Sequence, residues 1–194
     1  VNFYDCISQL FLNEKVNGVI VSTPNSCHLQ DGLEVIKNNC PILIEKPITT
    51  SSKDSSILIQ AARKSNVDIL VGHHRRHNPI IKKALEILDN NQIGRVRTVH
   101  VHCQMFKPNQ YFQESEWQKK AGAGPIFVNL IHDLDLMNYL FGDVKSVFSH
   151  SRLSIRGYEN EDVSSTILEF QNGILCTLLL SDSVVSPWSW ELTA

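Results

Sequence analysis

The sequence has no excess of positive charge and no long hydrophobic run. Its 18 lysines and arginines stand against 20 aspartates and glutamates, which gives a formal net charge of −2. The charge term that drives nucleic-acid binding is therefore missing. No apolar stretch approaches the roughly 18 residues that a membrane-spanning helix needs, and no signal peptide is visible. We expect neither a nucleic acid nor a membrane among its partners.

Cysteine is sparse and unpatterned. The five cysteines are odd in number and form no CxxC pair, which favours reduced thiols in a cytoplasmic protein. Neither a GxGxxG nor a Walker sequence occurs. The remaining composition is that of an ordinary globular protein, 42% hydrophobic and 20% charged over 194 residues. Because Val1 is not a natural initiator and the sequence stops without a closing element, we expect a fragment of a longer protein.

The first half alternates short β-branched runs with helical spacing. Strand-like runs fall at residues 18–21, 42–44 and 68–72. Helices of about 12–15 residues separate them, which predicts βαβ units and a parallel sheet. Apolar spacing also predicts a helix over residues 2–13. Because crossovers in such sheets are right-handed, the carboxyl ends of the three strands open on one edge.

Polar residues gather at that edge. Residues 23–25 follow the first strand, Glu45 and Lys46 follow the second, and residues 73–76 follow the third. Open α/β sheets bind their ligands in the crevice outside the carboxyl ends of the strands. The mixture of hydroxyl, amide, carboxylate, ammonium and guanidinium groups suits a polar ligand that carries phosphate.

The pattern changes after Gly94. Strand-like runs follow at residues 96–103, 146–153, 163–170 and 174–180. The last two are joined by Gln171-Asn-Gly173, a hairpin signal, and a helix is predicted over about 125–141. Strands joined by hairpins predict a mostly antiparallel sheet. The chain therefore changes from parallel α/β to α+β, which divides it into domains 1–93 and 94–194.

Two groups of residues have the chemistry of a catalytic site, each with a structural alternative. Lys46 ends a buried strand, where it is either a poised catalytic group or a lysine paired with Glu45 or lying on the surface; Pro47 after it permits a cis peptide. Asn129, His132 and Asp135 share one face of the second-half helix. They form either a structural hydrogen-bond network or a site in which His132 accepts a proton near neutral pH.

Other polar clusters are weaker signals. In the segment from His73 to His77, two arginines oppose cation binding, and anion contact by Arg75 or Arg76 is the better interpretation. His100 and His102 share a strand face without an evident third ligand, so we expect no metal. The Gly122-Ala-Gly-Pro125 turn either binds an anion or lets the chain pass close to another group. Aromatic–polar clusters around Lys107, Tyr111 and Trp188 either line a polyol pocket or simply pack.

Four motifs, in matching order and spacing, cover essentially the whole chain. They are Val-Ile-Val-Ser-Thr-Pro-Asn25 with His28, Ile-Glu-Lys-Pro47, Val-Gly-His-His-Arg-Arg-His-Asn-Pro79, and Gly-Ala-Gly-Pro-x-x-x-Asn-Leu-Ile-His132-Asp-Leu-Asp135. Each is weak by itself. Together they resemble the glucose–fructose oxidoreductase / inositol dehydrogenase family, Gfo/Idh/MocA.

The resemblance implies a partial Rossmann domain in residues 1–93, followed by an α+β domain with an open, mostly antiparallel sheet. It implies NAD or NADP as cofactor, a sugar, cyclitol or related polyol as substrate, and a homo-dimer or homo-tetramer formed through the open sheet face. The family's catalytic lysine and histidine correspond to Lys46 and His132. The corresponding cofactor contacts are Ser22, Thr23, Pro24, Asn25, His28, Glu45, Lys46, Arg75 and Arg76. The expected substrate contacts are Asn129, Asp135, Lys107, Tyr111 and Trp188.

The sequence also departs from the family pattern. Val128 stands where many members carry Asp, with Asn129 one position later. The family's Gly-rich βαβ unit is expected upstream of Val1, and further strands are expected after the last residue.

The resemblance leads to a dehydrogenase hypothesis with His132 as general base and Lys46 stabilising alkoxide charge. It requires both groups to face a common cleft. The rival is a non-catalytic dinucleotide-binding sensor, since a repressor of galactose metabolism has the same fold. A metal-dependent hydrolase that uses the histidines is a weaker alternative.

Overall fold

The computed structural model describes residues 1–114 and 116–185. The chain forms two compact units, Val1–His73 and His74–Ala194. This division precedes the boundary at residue 94 that the change of pattern predicted, because helix α4 (Pro79–Asp89) and the turn His74–His77 both contact the second unit's helix α5 (Ile131–Phe141). The assignment of residues 1–93 and 94–194 to two functional domains stays a prediction.

The first unit contains the predicted parallel sheet. Its strands β1 (Val19–Val21), β2 (Ile42–Ile44) and β3 (Ile69–Val71) lie in the order β1-β2-β3, and all pair in parallel. Helices α1 (Ile7–Asn13), α2 (His28–Lys37) and α3 (Ser52–Ser65) accompany them. The side chain of Ser51 accepts a hydrogen bond from the backbone N–H of Asp54 and so caps the start of α3.

A small aliphatic core holds this sheet against its helices. Val35, Ile44 and Leu58 are fully buried within it. Gly32 lets α2 approach α3 closely, because a Cβ at position 32 would lie only 2.8 Å from Cδ1 of Leu58 on α3. The core thereby fixes where β1 and β2 end and where the polar residues after them begin.

The predicted helix over residues 2–13 is shorter in the structure. It begins at Ile7, and Phe3 is 92% exposed. Only Ile7 and Phe11 of its apolar residues pack against the core. The apolar spacing therefore extended the prediction by one turn whose side chains do not pack against the core; Asn2 and Tyr4 instead donate hydrogen bonds to Glu14.

The second unit contains a four-stranded sheet. Its strands, in the order β4-β7-β6-β5, are β4 (Thr98–Gln104), β7 (Leu175–Ser181), β6 (Glu161–Phe170) and β5 (Val144–Leu153). The pairs β5–β6 and β6–β7 are antiparallel, as predicted, whereas β4 and β7 are parallel. The parallel pair arises because α5, rather than a hairpin, connects β4 to β5, and β7 returns beside β4. The sheet is therefore mixed but mostly antiparallel, which confirms the predicted fold class.

One face of this sheet carries the core of the second unit. Leu130, Phe170, Cys176 and Leu180 are buried there beneath α5 and a π-helical turn, Ile126–Leu130, that precedes it. Residues on the opposite face are open: Ile167 is 46% and Leu175 is 50% exposed. Among the described residues, no helix is long and apolar enough to cross a membrane.

Candidate active site

The turn after β1 presents a hydroxyl and an amide at the carboxyl edge of the first unit's sheet. Thr23 Oγ1 donates to Asp31 Oδ2 at 2.6 Å, which ties the turn to helix α2. Asn25 Nδ2 is buried and has no hydrogen-bond acceptor among the described residues. An unsatisfied buried donor costs free energy, so this amide is suited to meet an acceptor that the chain itself does not supply.

His28 connects that turn to the segment after β2. Its side chain is fully buried, and its Nδ1 and Nε2 lie 2.8 Å from the carbonyl oxygens of Pro47 and Thr23. Both ring nitrogens are thus engaged with backbone, and a direct contact from them to a cofactor is not what this geometry offers. His28 instead fixes the backbone on either side of the strand ends.

Glu45 and Lys46 continue directly from β2. Glu45 N–H donates to the Val21 carbonyl oxygen at 2.9 Å, and Lys46 N–H donates to Glu45 Oε2 at 3.2 Å. The Glu45 carboxylate lies over Gly72, where an added Cβ would stand 3.1 Å from both carboxylate oxygens. The Lys46–Pro47 peptide is cis, as the sequence allowed. The half-buried Lys46 therefore follows a backbone that β1, β3 and His28 all constrain.

The helix α5 of the second unit carries His132 beside a second imidazole. The ring centroids of His132 and His74 are 5.0 Å apart in an edge-to-face arrangement. Two ion pairs flank this contact. Arg75 pairs with Asp133, and Arg76 binds Asp135 through Nε at 2.8 Å and Nη2 at 2.5 Å. The turn 74–77 is thereby attached to the helix that carries the predicted general base.

These ion pairs reduce the number of N–H donors that Arg75 and Arg76 can offer to a ligand. The hydrogen bonds that Arg76 donates to Asp135 raise the pKa of Arg76 above its ordinary value, and the Arg76 guanidinium lies 5.2 Å from the ring centroid of Tyr139. The sequence predicted cofactor contacts for both arginines and a substrate contact for Asp135. The structure brings these three residues together with Asp133, so part of their hydrogen-bonding capacity is used within the second unit.

Lys107 and Asn129, both predicted to contact substrate, contact each other. Lys107 Nζ donates to Asn129 Oδ1 at 2.7 Å and lies 3.5 Å from Asp182 Oδ2. Its ammonium is 5.1 Å from the ring centroid of Tyr111. Burial lowers the pKa of Lys107, and the nearby Asp182 carboxylate opposes that change. Three of the predicted residues therefore form one cluster; Trp188 lies outside the described residues.

Asp182 and Arg156 belong to this cluster and were not predicted from the sequence. The Asp182 side chain is 2% exposed and accepts from Arg156 Nη1 at 3.0 Å. A carboxylate directly after the apolar run of β7 was the available signal, because buried carboxylates are rare unless paired. Nothing in the local sequence indicates that its partners are Lys107 and Arg156.

The Gly-rich entry to the α5 segment accommodates a protein carboxylate. Ile126 N–H donates to Glu161 Oε1 at 2.9 Å, and a Cβ on Gly124 would collide with that same carboxylate. Of the two predicted roles for this turn, the close approach is the one that the described residues show. The contact holds the start of the segment on which Asn129 and His132 lie.

His100 and His102 lie on the open face of the sheet. Their ring centroids are 4.2 Å apart, and His100 Nδ1 contacts Thr177 Oγ1. Across residues 1–114 and 116–185, no group of three His, Cys, Asp or Glu side chains is arranged to hold a metal ion.

Comparison with known proteins assigns the chain to a family. Residues 81–193 match the model of the GFO/IDH/MocA C-terminal domain. The chain belongs to the Gfo/Idh/MocA oxidoreductases. Residues 1–73 match the family's other model, an oxidoreductase domain with an NAD-binding Rossmann fold. The predicted family, fold and NAD-type cofactor class are thus confirmed.

Relatives in this family are similar over most of the chain. An oxidoreductase of Formosa agariphila is 31% identical over 170 residues, 85% of this chain and 52% of that protein. The scyllo-inositol 2-dehydrogenase (NAD(+)) of Bacillus subtilis is 29% identical, with 92% of this chain and 52% of the enzyme covered. The chain spans about half the length of these curated relatives.

The fold is also similar to solved structures. The WlbA dehydrogenase of Bordetella pertussis, solved in complex with NADH and UDP-GlcNAcA, superposes with a TM-score of 0.88 at 21% sequence identity. The match covers 93% of this chain and 53% of that one. At this identity the likeness establishes the fold.

Proposed function

We propose that the protein containing this chain is an NAD(P)-dependent dehydrogenase that acts on a CH–OH group of a sugar, cyclitol or related polyol. One observation carries the proposal. This chain of an oxidoreductase family has both a lysine, Lys46, directly after β2 and a histidine, His132, on α5. A module that only binds a dinucleotide has no need of a general base. The names of relatives, among them scyllo-inositol 2-dehydrogenase and 1,5-anhydro-D-fructose reductase, support the substrate class.

The strand-end residues of the first unit fit a nicotinamide dinucleotide. The buried amide of Asn25 lacks an acceptor among the described residues, and a dinucleotide is rich in acceptor oxygens. Ser22, Thr23, Pro24, Asn25 and Glu45 would hold the cofactor, while His28 keeps their backbone in place from behind. The bound nicotinamide supplies hydride acceptance and donation, and the protein supplies position and electrostatics.

In this proposal His132 is the general base, which accepts the proton of the reacting hydroxyl. A neutral imidazole is suited to accept it near neutral pH, and the contact with His74 restricts the orientation of the ring. Asn129 and Asp135 then act through the cations that they bind, Lys107 and Arg76. They position groups around the base, which differs from the direct substrate contact that the sequence predicts for them.

Lys46 is assigned the hydrogen bond to the same substrate oxygen. An ammonium there favours the developing alkoxide over the neutral alcohol, which lowers the barrier rather than only tightening binding. The constrained backbone around Glu45 and Pro47 gives the side chain a fixed origin.

Two further properties belong to the same proposal. The exposed face of the second unit's sheet, which includes Ile167 and Leu175, is assigned to a homo-dimer or homo-tetramer interface. The scattered cysteines support a cytoplasmic location.

The proposal is tested by Lys46→Ala and His132→Ala in the protein that contains this chain. Turnover of polyols and sugar acids with NAD and NADP is followed at the nicotinamide absorbance band. Each variant should lose about 10²–10⁴-fold in kcat, while fluorescence titration with the dinucleotide changes little. Lys37→Ala, which removes an exposed ammonium from α2, serves as the control and should keep full activity.

The rival sensor makes an opposite prediction. A sensor would bind dinucleotide and sugar without any change in nicotinamide absorbance. Unchanged turnover in Lys46→Ala would remove Lys46 from the mechanism, and the absence of turnover with every substrate in the wild type would favour the sensor.

A further inference from the structure

Two buried cations of the second unit share one buried carboxylate. Lys107, Arg156 and Asp182 have side chains that are 12%, 10% and 2% exposed. Arg156 takes the closer position, with Nη1 donating to Asp182 Oδ1 at 3.0 Å and Nη2 donating to the carbonyl oxygen of Asp182 at 2.9 Å. Lys107 Nζ stands farther away, 3.5 Å from Asp182 Oδ2. The trio by itself therefore keeps one positive charge in a mostly buried place.

The neighbouring charges do not balance that excess directly. Asp162, the next buried carboxylate, accepts the backbone N–H of Ile155 at 3.0 Å, and among the described residues it forms no ion pair with Lys107 or Arg156. Asp133 is paired with Arg75. Because a buried ion is costly without a counter-ion, the ammonium of Lys107 is the cation of this group that an added anion would stabilise.

The donors of Lys107 lead to the same conclusion. An ammonium has three N–H groups. One of them donates to Asn129 Oδ1 at 2.7 Å. A second faces Asp182 Oδ2, which lies 3.5 Å from Nζ. The ring centroid of Tyr111 lies 5.1 Å from the same nitrogen. In the part of the chain that the structure describes, the third N–H has no acceptor. An incoming oxygen acceptor would complete the set.

The position of this donor relates it to the predicted base. Asn129, which holds the ammonium, precedes His132 by three residues on one continuous helical segment. Residues three apart in a helical segment lie within about one turn of each other, although Asn129 belongs to the π-helical turn and His132 to α5. One six-carbon acid can bridge such a separation, with a hydroxyl at the imidazole and a carboxylate at the ammonium.

We propose that Lys107, held by Asn129 and Asp182, binds a carboxylate of the substrate, so that the enzyme acts on sugar acids in preference to neutral sugars. The inference rests on the proposed dehydrogenase function and makes its substrate class specific. Arg156 donates the closer hydrogen bond to the Asp182 carboxylate, and the more distant Lys107 ammonium can therefore bind the substrate carboxylate.

The test compares matched pairs of sugars in the protein that contains this chain. kcat/KM is measured with NAD and NADP for glucuronate against glucose and for galacturonate against galactose. The wild type should favour the acid of at least one pair by about 10–100-fold, the size expected for one charge-assisted hydrogen bond. Lys107→Gln keeps a donor for Asn129 but loses the charge. It should abolish most of that preference, so that the ratio of kcat/KM for the acid to kcat/KM for the neutral sugar falls towards one.

Controls separate the subsite from charge and folding effects. Lys145→Gln removes the same charge from an exposed ion pair with Glu169 and should leave the preference intact. Circular dichroism checks that Lys107→Gln is folded. If it is not folded, the wild-type ratio decides, and a ratio near one overturns the inference.

A binding measurement distinguishes failure of this inference from failure of the proposed function. Titration calorimetry with glucuronate and galacturonate needs no turnover. Binding that depends on Lys107 in a protein without dehydrogenase activity would reject the function and keep the carboxylate subsite. Equal turnover of acids and neutral sugars, unchanged in Lys107→Gln, would overturn the subsite and keep the function.

Discussion

The two compact units satisfy their buried polar groups in different ways. In the first unit, His28 and Thr49 are buried and hydrogen-bonded to neutral partners, mostly backbone carbonyl oxygens. In the second unit, buried polar groups include ions that pair with one another, as Asp182 does with Arg156 and Lys107. Neutral hydrogen bonds contribute little net stability each, whereas removing one member of a buried ion group leaves an uncompensated charge.

This difference separates two kinds of support for a site. Hydrogen bonds to backbone fix the path of the chain, which is what a residue such as Lys46 needs at a strand end. Buried ions place charge where a ligand can use it, which is what we infer for Lys107. The following variants test whether the contrast between the units is real.

The largest effect is expected for Asp182→Asn. It keeps the shape of the side chain but removes the only carboxylate of the trio with Lys107 and Arg156, so the free energy of unfolding should fall by about 3–5 kcal/mol. Thr49→Val, which removes a neutral buried hydrogen bond to the Ser51 carbonyl oxygen in the first unit, should cost only about 1 kcal/mol. Urea unfolding of both variants measures the contrast.

Asp89→Asn is the control for Asp182→Asn, because Asp89 is an exposed carboxylate at the end of α4. It should change the free energy of unfolding by no more than about 0.5 kcal/mol. If Asp182→Asn and Thr49→Val cost the same, the two units do not differ in the way described.

A middle-sized effect is expected for Gly124→Ala. The new Cβ would collide with the Glu161 carboxylate that accepts the Ile126 N–H, so this carboxylate must move away and the hydrogen bond is lost. Overpacking of this kind costs roughly 1–3 kcal/mol, measured as a lower midpoint of thermal unfolding. Gly18→Ala in the first unit is the matched change, since its Cβ would meet only the Pro41 carbonyl oxygen at 3.8 Å. A destabilisation by Gly18→Ala as large as that by Gly124→Ala would contradict the argument.

The smallest effect concerns Cys103, whose thiol lies near Asp133. Burial, with a smaller contribution from Asp133, raises the pKa of Cys103 from 9.0 to about 12. The unfolded chain then ionises this thiol at a lower pH than the folded protein does. The stabilisation is therefore complete below pH 9 and is lost progressively as the pH rises towards 12.

The comparison of wild type with Cys103→Ala isolates that pH dependence. Between pH 8 and pH 10 the wild type should lose about 1 kcal/mol more unfolding free energy than the variant, as measured by urea titration at each pH. Cys6→Ala, which removes an exposed thiol of the first unit, should follow the wild type. Parallel curves for all three proteins would show that the Cys103 environment has no such effect.

Much of the first unit could be predicted because its information is local. Each β-branched run became a parallel strand, and Ser51 caps α3 through a contact with Asp54, three residues away. The first turn of the predicted helix 2–13 failed because apolar spacing without a core to pack against does not hold a helix. The partners of His28 were unpredictable, since they are backbone carbonyl oxygens 5 and 19 residues away.

The second unit was predicted less completely because its decisive contacts are distant in sequence. Arg75 and Asp133 are 58 residues apart, Arg76 and Asp135 are 59 apart, and Arg156 and Asp182 are 26 apart. Sequence spacing placed Asn129, His132 and Asp135 on one helix but did not show which cation each would meet. The π-helical turn at Ile126–Leu130 could not be predicted either, because the spacing that indicates a helix assumes 3.6 residues per turn.

The sequence alone determined the alternation of strands and helices, the polar residues that follow each strand, and the family motifs, because all of these depend on neighbours along the chain. The tertiary structure alone decided that Asp182 joins Lys107 to Arg156, that Arg75 and Arg76 pair with α5, and that Gly124 makes room for Glu161. Ion pairs form between charged groups that are close in space, and in the second unit these distances are set only when the sheet and helix α5 have packed together.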